Sequence, residues 1–96
     1  MDMAIGVLTL HIHLPGCTSL KEKRSRLKPL ISRLHKEFNI SVAELEQNDR
    51  WREAVIACAI VSNDHSHAQQ ALQRVSSWID VYWPDIQVED EKLELI

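Results

Sequence analysis

The spacing of apolar residues alternates between two periods along this 96-residue chain, and the order of that alternation constrains the fold more than any other feature. A period of two indicates a strand, and a period near 3.6 indicates a helix. The predicted elements are a strand over Met3–His13, a helix over Thr18–Phe38, strands over Asn39–Glu46 and Glu53–Ser62, a helix from about Asp64 to Tyr82 and a strand from Ile86 to about Ile96. The order βαββαβ has one common solution, the ferredoxin-like α+β sandwich, with a four-stranded antiparallel sheet and two helices on one face.

The third predicted strand, EAVIACAIVS, is apolar at both parities, which is typical of a central strand. We expect strands one and three to lie at the centre of the sheet, within a single domain spanning residues 1–96. Because both helices cover one face, the other face would expose Ile5, Val7 and one apolar set from the third strand. This apolar surface predicts a protein-interaction module that forms a homodimer through the open sheet face.

The first helix has a clear start signal and one anomaly. Ser19 and Glu22 fit a capping box, in which the serine accepts a hydrogen bond from the third helical amide. Leucines recur behind them at helical spacing, Leu27 and Leu34 among them. Pro29 removes one backbone hydrogen bond, so we expect it to kink or divide the helix.

Positive charge is concentrated on this helix, although the formal net charge of the chain is -3. Lys21–Lys36 contains seven Lys or Arg residues and a single acid. Three of the cations stand in the first turns, where the helix dipole disfavours each by about 0.3–1 kcal/mol. Charge placed against local stability indicates function, and phosphate is the natural counter-charge. The alternative is internal: the six acids of Asp80–Glu94 would neutralise the helix.

The concentrated charge predicts a non-enzymatic RNA- or ribosome-associated binding module. The predicted nucleic-acid-binding residues are Lys21, Lys23, Arg24 and Lys28, followed by Arg26 and Arg33. RNA-recognition motifs stack bases on aromatic residues of their central strands. The corresponding strands here contain no Phe, Tyr or Trp. We therefore expect the first helix, rather than the sheet, to bind RNA.

A further alternative is a small metal- or ligand-binding protein. His11 and His13 form an HxH pattern on one face of a strand, with Cys17 nearby in sequence, whereas zinc requires three or four converging ligands. His65 and His67 lie at the start of the second helix, in a segment that fits N-capping. P-loop, Gly-rich cradle and GxSxG motifs are absent from the sequence. We therefore predict no catalytic residues, no metal ligands and no cofactor.

The sequence also predicts a compartment. The longest apolar stretch, Ala54–Val61, is far shorter than the roughly 20 residues that span a bilayer. The first residues lack the basic region of a signal peptide. Cys17 and Cys58 lack CxxC spacing, and nothing requires a disulfide. We expect a cytoplasmic protein without a membrane partner.

Three blocks of the sequence resemble those of a known family. They are LPGCTSLKEKRSRLKPL (Leu14–Leu30), FNISVAELEQNDRW (Phe38–Trp51) and VSNDHSHA (Val61–Ala68). They are similar to the recurring blocks of the YlxP-like proteins, small bacterial proteins of unassigned function. The resemblance implies a ferredoxin-like fold and RNA binding. The family tends to be encoded near transcription, translation and ribosome-maturation factors. It supplies no catalytic residue, and Pro29 departs from the usual uninterrupted helix.

Overall fold

The computed structural model describes residues 2–45 and 50–96. Its elements are β1 (Ala4–His13), α1 (Leu20–Phe38), β2 (Ser41–Glu44), β3 (Glu53–Ser62), α2 (His65–Tyr82) and β4 (Gln87–Leu95). The predicted ferredoxin-like α+β sandwich is confirmed, with four antiparallel strands in one sheet. The second strand is shorter than predicted, and Glu46, where the prediction ended it, lies outside the described residues.

The strand order is β2-β3-β1-β4, so β1 and β3 are the central strands, as predicted. They pair over ten residues, from Ala4 opposite Ser62 to His13 opposite Glu53. The pairing of β1 with β4 shifts by one residue beside His11, which leaves an extra residue on β4. Such a β-bulge bends the edge strand and changes the direction of its side chains.

The core lies between the two helices and one face of the sheet. Even-numbered side chains of β1 point into it, and Leu8, Leu10 and Ile12 are fully buried. The helices contribute Leu27, Leu30 and Leu34 from α1, and Leu72, Val75 and Ile79 from α2. A Cβ at Gly6 would lie 2.7 Å from Leu72 Cδ1, so the glycine allows α2 to approach β1 closely.

Helix α1 starts at the predicted cap and continues through the proline. Ser19 Oγ accepts a hydrogen bond from Glu22 N at 3.0 Å. Of the two outcomes expected at Pro29, a kink or a division, the division does not occur: α1 is one helix on both sides of the proline. Leu27 and Leu30 are buried on either side, and burying a leucine contributes about 1.5–3 kcal/mol. Together they offset the roughly 3 kcal/mol that an internal proline costs.

Neither α1 nor α2 covers the opposite face of the sheet. Ile5, Val7 and Thr9 of β1 are half-buried there by their strand neighbours. Val61 of β3, which pairs with Ile5, is 69% exposed. The C-terminal strand β4 extends the sheet beside β1 and does not fold over this face. The open apolar face predicted from the sequence is therefore present.

Candidate nucleic-acid interface

The orientation of α1 divides its cations into two groups. Its buried leucines, Leu27 among them, turn one face toward the sheet. At about 100° per residue, Lys21, Arg24 and Lys28 project within about 60° of one another beside that face. All three side chains are exposed. Together they form the exposed flank of α1.

The exposed flank carries uncompensated positive charge. Within residues 2–45 and 50–96, none of its three side chains forms an ion pair or a hydrogen bond. Arg24 and Lys28 line a shallow groove of about 330 Å³ between α1 and β2. Leu27 and Ile31 form its apolar side, and Glu44 stands at the end of β2. The flank therefore presents cations next to a narrow groove that contains one carboxylate.

Lys23, a predicted binding residue, lies inside the protein. Only 2% of the residue is exposed, and Lys23 Nζ donates a hydrogen bond to the Arg50 carbonyl at 3.0 Å. The reason is its angular position, because Leu27 follows four residues later on the same side of the helix. Lys23 thus connects α1 to the chain before β3. Because it is buried, it is no longer a candidate RNA contact.

Arg26 also has an internal role. Its guanidinium donates to the Pro15 carbonyl at 2.9 Å and to the Asp85 carbonyl. Arg26 Nε lies 3.9 Å from the Asp85 carboxylate, and only 17% of the arginine side chain is exposed. The side chain therefore joins three segments: the β1–α1 loop, α1 and the chain before β4.

Arg33 lies on the same side of α1 as Arg26, near the end of the helix. Its guanidinium is 3.9 Å from Glu37 and 5.8 Å from the centre of the Trp78 ring. This cation–π contact links α1 to α2. More than half of the Arg33 side chain is exposed, so it remains accessible, although its charge is shared with Glu37.

The acidic C-terminal segment lies mostly away from the exposed flank. Strand β4 is at the sheet edge opposite β2, whereas α1 packs over the β2 side. Glu91 accepts a hydrogen bond from Ser76 of α2, and Glu94 pairs with Lys92 at 2.9 Å. Among the described residues, Asp85 makes the ion pair that joins this segment to α1, through Arg26. Internal neutralisation therefore applies to Arg26 and not to the exposed flank.

Glu22 provides the negative charge at the start of α1. Its carboxylate accepts hydrogen bonds from Thr18 N at 2.7 Å and Thr18 Oγ1 at 3.0 Å. The Thr18 backbone hydrogen bond lowers the pKa of Glu22, and the Thr18 hydroxyl lowers it further. The predicted capping box is therefore modified, because the glutamate reaches the residue before the cap.

Both cysteines are buried, whereas His11 and His13 are more accessible to solvent. Cys17 is fully buried, and its Sγ donates to the Ser19 carbonyl. Cys58 is also buried, and burial raises the pKa of its thiol to about 12. His11 is exposed, whereas His13 is half-buried and hydrogen-bonded to Glu53. The structure thus gives His13 a carboxylate partner that the sequence pattern did not indicate.

Neither α1 nor α2 is long and apolar enough to cross a membrane, as judged over residues 2–45 and 50–96.

The sheet, the helix pair and the distribution of charge define a ferredoxin-like sandwich with one cationic helix flank and one acidic edge strand. Residues 5–92 match the family described as "Protein of unknown function (DUF503)", and the chain belongs to that family. It is 38% identical over 69 residues to a Bacillus subtilis (strain 168) protein named "Uncharacterized protein YlxP", covering 72% of this chain and 74% of that protein. The resemblance inferred from the sequence blocks is confirmed.

Solved structures share the fold at low sequence identity. The de novo designed protein Foldit4 matches with a TM-score of 0.59 and 11% identity, covering 99% of this chain and 97% of that one. A C-terminal segment of the alpha subunit of aIF2 from Pyrococcus abyssi matches with a TM-score of 0.52 and 14% identity, covering 100% of this chain and 51% of that one. At these identities the likeness concerns the fold alone.

Proposed function

We propose that this protein is a non-enzymatic RNA-binding module that contacts the phosphates of structured RNA through the exposed flank of α1. One observation carries the proposal: Lys21, Arg24 and Lys28 share one flank and have no ion-pair partner within residues 2–45 and 50–96. Three free cations of this kind gain affinity by neutralising phosphates and releasing their counterions. The acids of β4 stand at the opposite edge of the sheet, away from the exposed flank.

Binding through so few cations would be weak and salt-sensitive. Each neutralised phosphate contributes about 0.7–0.9 to the slope of log affinity against log salt, so three contacts give a slope of about -2 to -3. Phosphate contacts position a protein without reading sequence. The expected target is therefore a folded RNA recognised by shape. We expect that target to be ribosomal RNA.

The test compares two variants with equal net charge. The first replaces the exposed flank: Lys21→Gln, Arg24→Gln and Lys28→Gln. The control places three acids on α2, at the exposed positions Gln69→Glu, Gln70→Glu and Gln73→Glu. Both variants lose three units of charge, but only the first loses the proposed contacts.

Affinity for ribosomal RNA is measured by filter binding across a salt titration, with a thermal melt of each variant. We expect the flank variant to lose at least about tenfold in affinity and about two units of slope. The control variant keeps the wild-type slope, and both variants melt near the wild type because exposed charges alter stability little. Wild type that shows no salt-dependent binding would refute the proposal, as would equal losses in both variants.

The open sheet face supports a second candidate function, self-association. Its specific observation is Val61, 69% exposed, next to the half-buried Ile5 and Val7 on the central strands. A second copy of the chain offers the same apolar surface and would cover it through a two-fold axis. Light scattering at micromolar concentrations tests this: Val61→Lys should convert a wild-type dimer to a monomer. A wild type that stays monomeric throughout that range excludes the dimer.

A further inference from the structure

Three side chains from three strands meet at one end of the open sheet face. They are His13 of β1, Glu53 of β3 and Glu89 of β4. His13 Nδ1 lies 3.0 Å from Glu53 Oε1 and 3.8 Å from Glu89 Oε1. One nitrogen and two carboxylate oxygens therefore lie within 4.8 Å of one another.

Two features of strand pairing place these groups. His13 and Glu53 are directly opposite each other in the register of the two central strands. Glu89 is the extra residue of the β4 bulge, which lies between the partners of His11 and Ile12. A bulge redirects a side chain that a regular strand would place differently, and bulges are frequent beside functional sites. Glu89 is also two residues after Gln87, the partner of His13, so β4 contributes its carboxylate to the face that His13 occupies.

The separations suit coordination to one ion. Two ligand atoms that each lie about 2.1 Å from a tetrahedral zinc ion are about 3.4 Å apart. The two separations from His13 Nδ1, 3.0 and 3.8 Å, fall on either side of that value. At 3.8 Å, Glu89 is beyond hydrogen-bond distance from His13. Without an ion, His13 therefore forms a hydrogen bond with Glu53 alone. An ion between the three side chains would bind both carboxylates.

We propose that His13, Glu53 and Glu89 form a binding site for a divalent transition-metal ion, with Zn²⁺ as the representative ion. Imidazole favours such ions over Mg²⁺ and Ca²⁺, which prefer oxygen ligands alone. Two carboxylates supply the charge that neutralises a dication. The three side chains are 27%, 39% and 49% exposed, so solvent or a ligand of the ion can occupy the remaining coordination position. The site is independent of the exposed flank of α1.

The experiment measures Zn²⁺ binding to chelator-treated protein by calorimetry, with Mg²⁺ as a second ion. We expect one Zn²⁺ per chain with Kd at or below about 10 µM, and no comparable Mg²⁺ binding. Loss of one ligand should weaken Zn²⁺ binding at least about tenfold. Glu89→Gln is the principal variant because its side chain is half exposed and the change keeps its size. His13→Ala is the second.

Two controls distinguish this site from general surface binding. Glu94→Gln removes an acid from the same strand, at a position paired with Val7 far from His13. His67→Ala removes an exposed histidine of α2. Both should bind Zn²⁺ like the wild type, and Zn²⁺ should raise the Tm of the wild type more than that of Glu89→Gln. The proposal is overturned if the wild type binds no Zn²⁺ at about 100 µM. It is equally overturned if a control weakens binding as much as Glu89→Gln does.

Discussion

Two groups of cations on one helix have opposite environments, although they are the same residue types within eight positions of one another. Lys23 and Arg26 donate to backbone carbonyls of the protein itself. Lys21, Arg24 and Lys28 extend into solvent, and the described residues offer them no ion-pair partner. The difference shows that composition alone does not identify a binding surface. What decides is the angle between each side chain and the buried leucine stripe, together with the acceptors that the folded chain brings to it.

The angle matters because a lysine consists of an apolar stem and a charged tip. A stem on the core side can be buried if the ammonium finds acceptors, whereas an unpaired buried charge is strongly unfavourable. The Arg50 carbonyl supplies one acceptor for Lys23. On the exposed flank no such requirement exists, and water solvates the charged groups. The first group therefore contributes to stability, and the second is available for ligands.

Truncating the buried lysine should have the largest effect. Lys23→Ala removes a buried stem and leaves the Arg50 carbonyl without this donor, so we expect the free energy of unfolding to fall by about 2–4 kcal/mol. Lys21→Ala, its exposed counterpart, should change it by less than about 0.5 kcal/mol. Urea denaturation measures both. Equal midpoints for the two variants would contradict the division into structural and exposed cations.

An intermediate effect is expected at Arg26. Arg26→Ala removes donors from two loop carbonyls, and we expect a loss of about 1–2 kcal/mol in the free energy of unfolding. Arg24→Ala is the matched control and should have almost no effect. Asp85→Asn sharpens the result, because it weakens the long ion pair and keeps the backbone acceptor. If Asp85→Asn destabilises as much as Arg26→Ala, the ion pair and not the carbonyl contacts holds the loops.

The smallest effect concerns Glu22 and depends on pH. Because its pKa is lowered in the folded protein, the unfolded state binds the proton more tightly. The carboxylate therefore stabilises the fold above its ordinary pKa, and this contribution is lost as pH falls through the lower folded pKa. We expect Glu22→Gln to melt below the wild type at neutral pH and the two melting temperatures to converge in acid. A difference that persists unchanged to about pH 3 would contradict a role for the negative charge.

Much of the fold was predictable because its signals are local. The periodicity of each segment specified six elements, and the short connections then allowed one common topology. A division at Pro29 was expected because the local cost of the proline was weighed without the burial of Leu27 and Leu30 on either side. That burial depends on the sheet beneath the helix, which a single segment of sequence does not show.

The candidate site was predicted in part. The cationic helix is evident in the sequence. The burial of Lys23 could also have been predicted, because Leu27, Leu30 and Leu34 follow it at helical spacing. The role of Arg26 was not accessible, because Pro15 and Asp85 approach it only in the folded chain. The cluster at His13 depends on the register of three strands, which is not encoded locally.

The acidity of β4 has a consequence for how copies of this chain meet. As an edge strand it presents backbone donors and acceptors that an added strand can pair with. Four of its nine residues are acidic, and the bulge at Glu89 breaks the regular ladder. In an antiparallel pairing centred on Asp90, acids would stand opposite acids, which destabilises a ladder. Charge and irregularity thus discourage growth of the sheet through this edge into a continuous multi-chain ribbon.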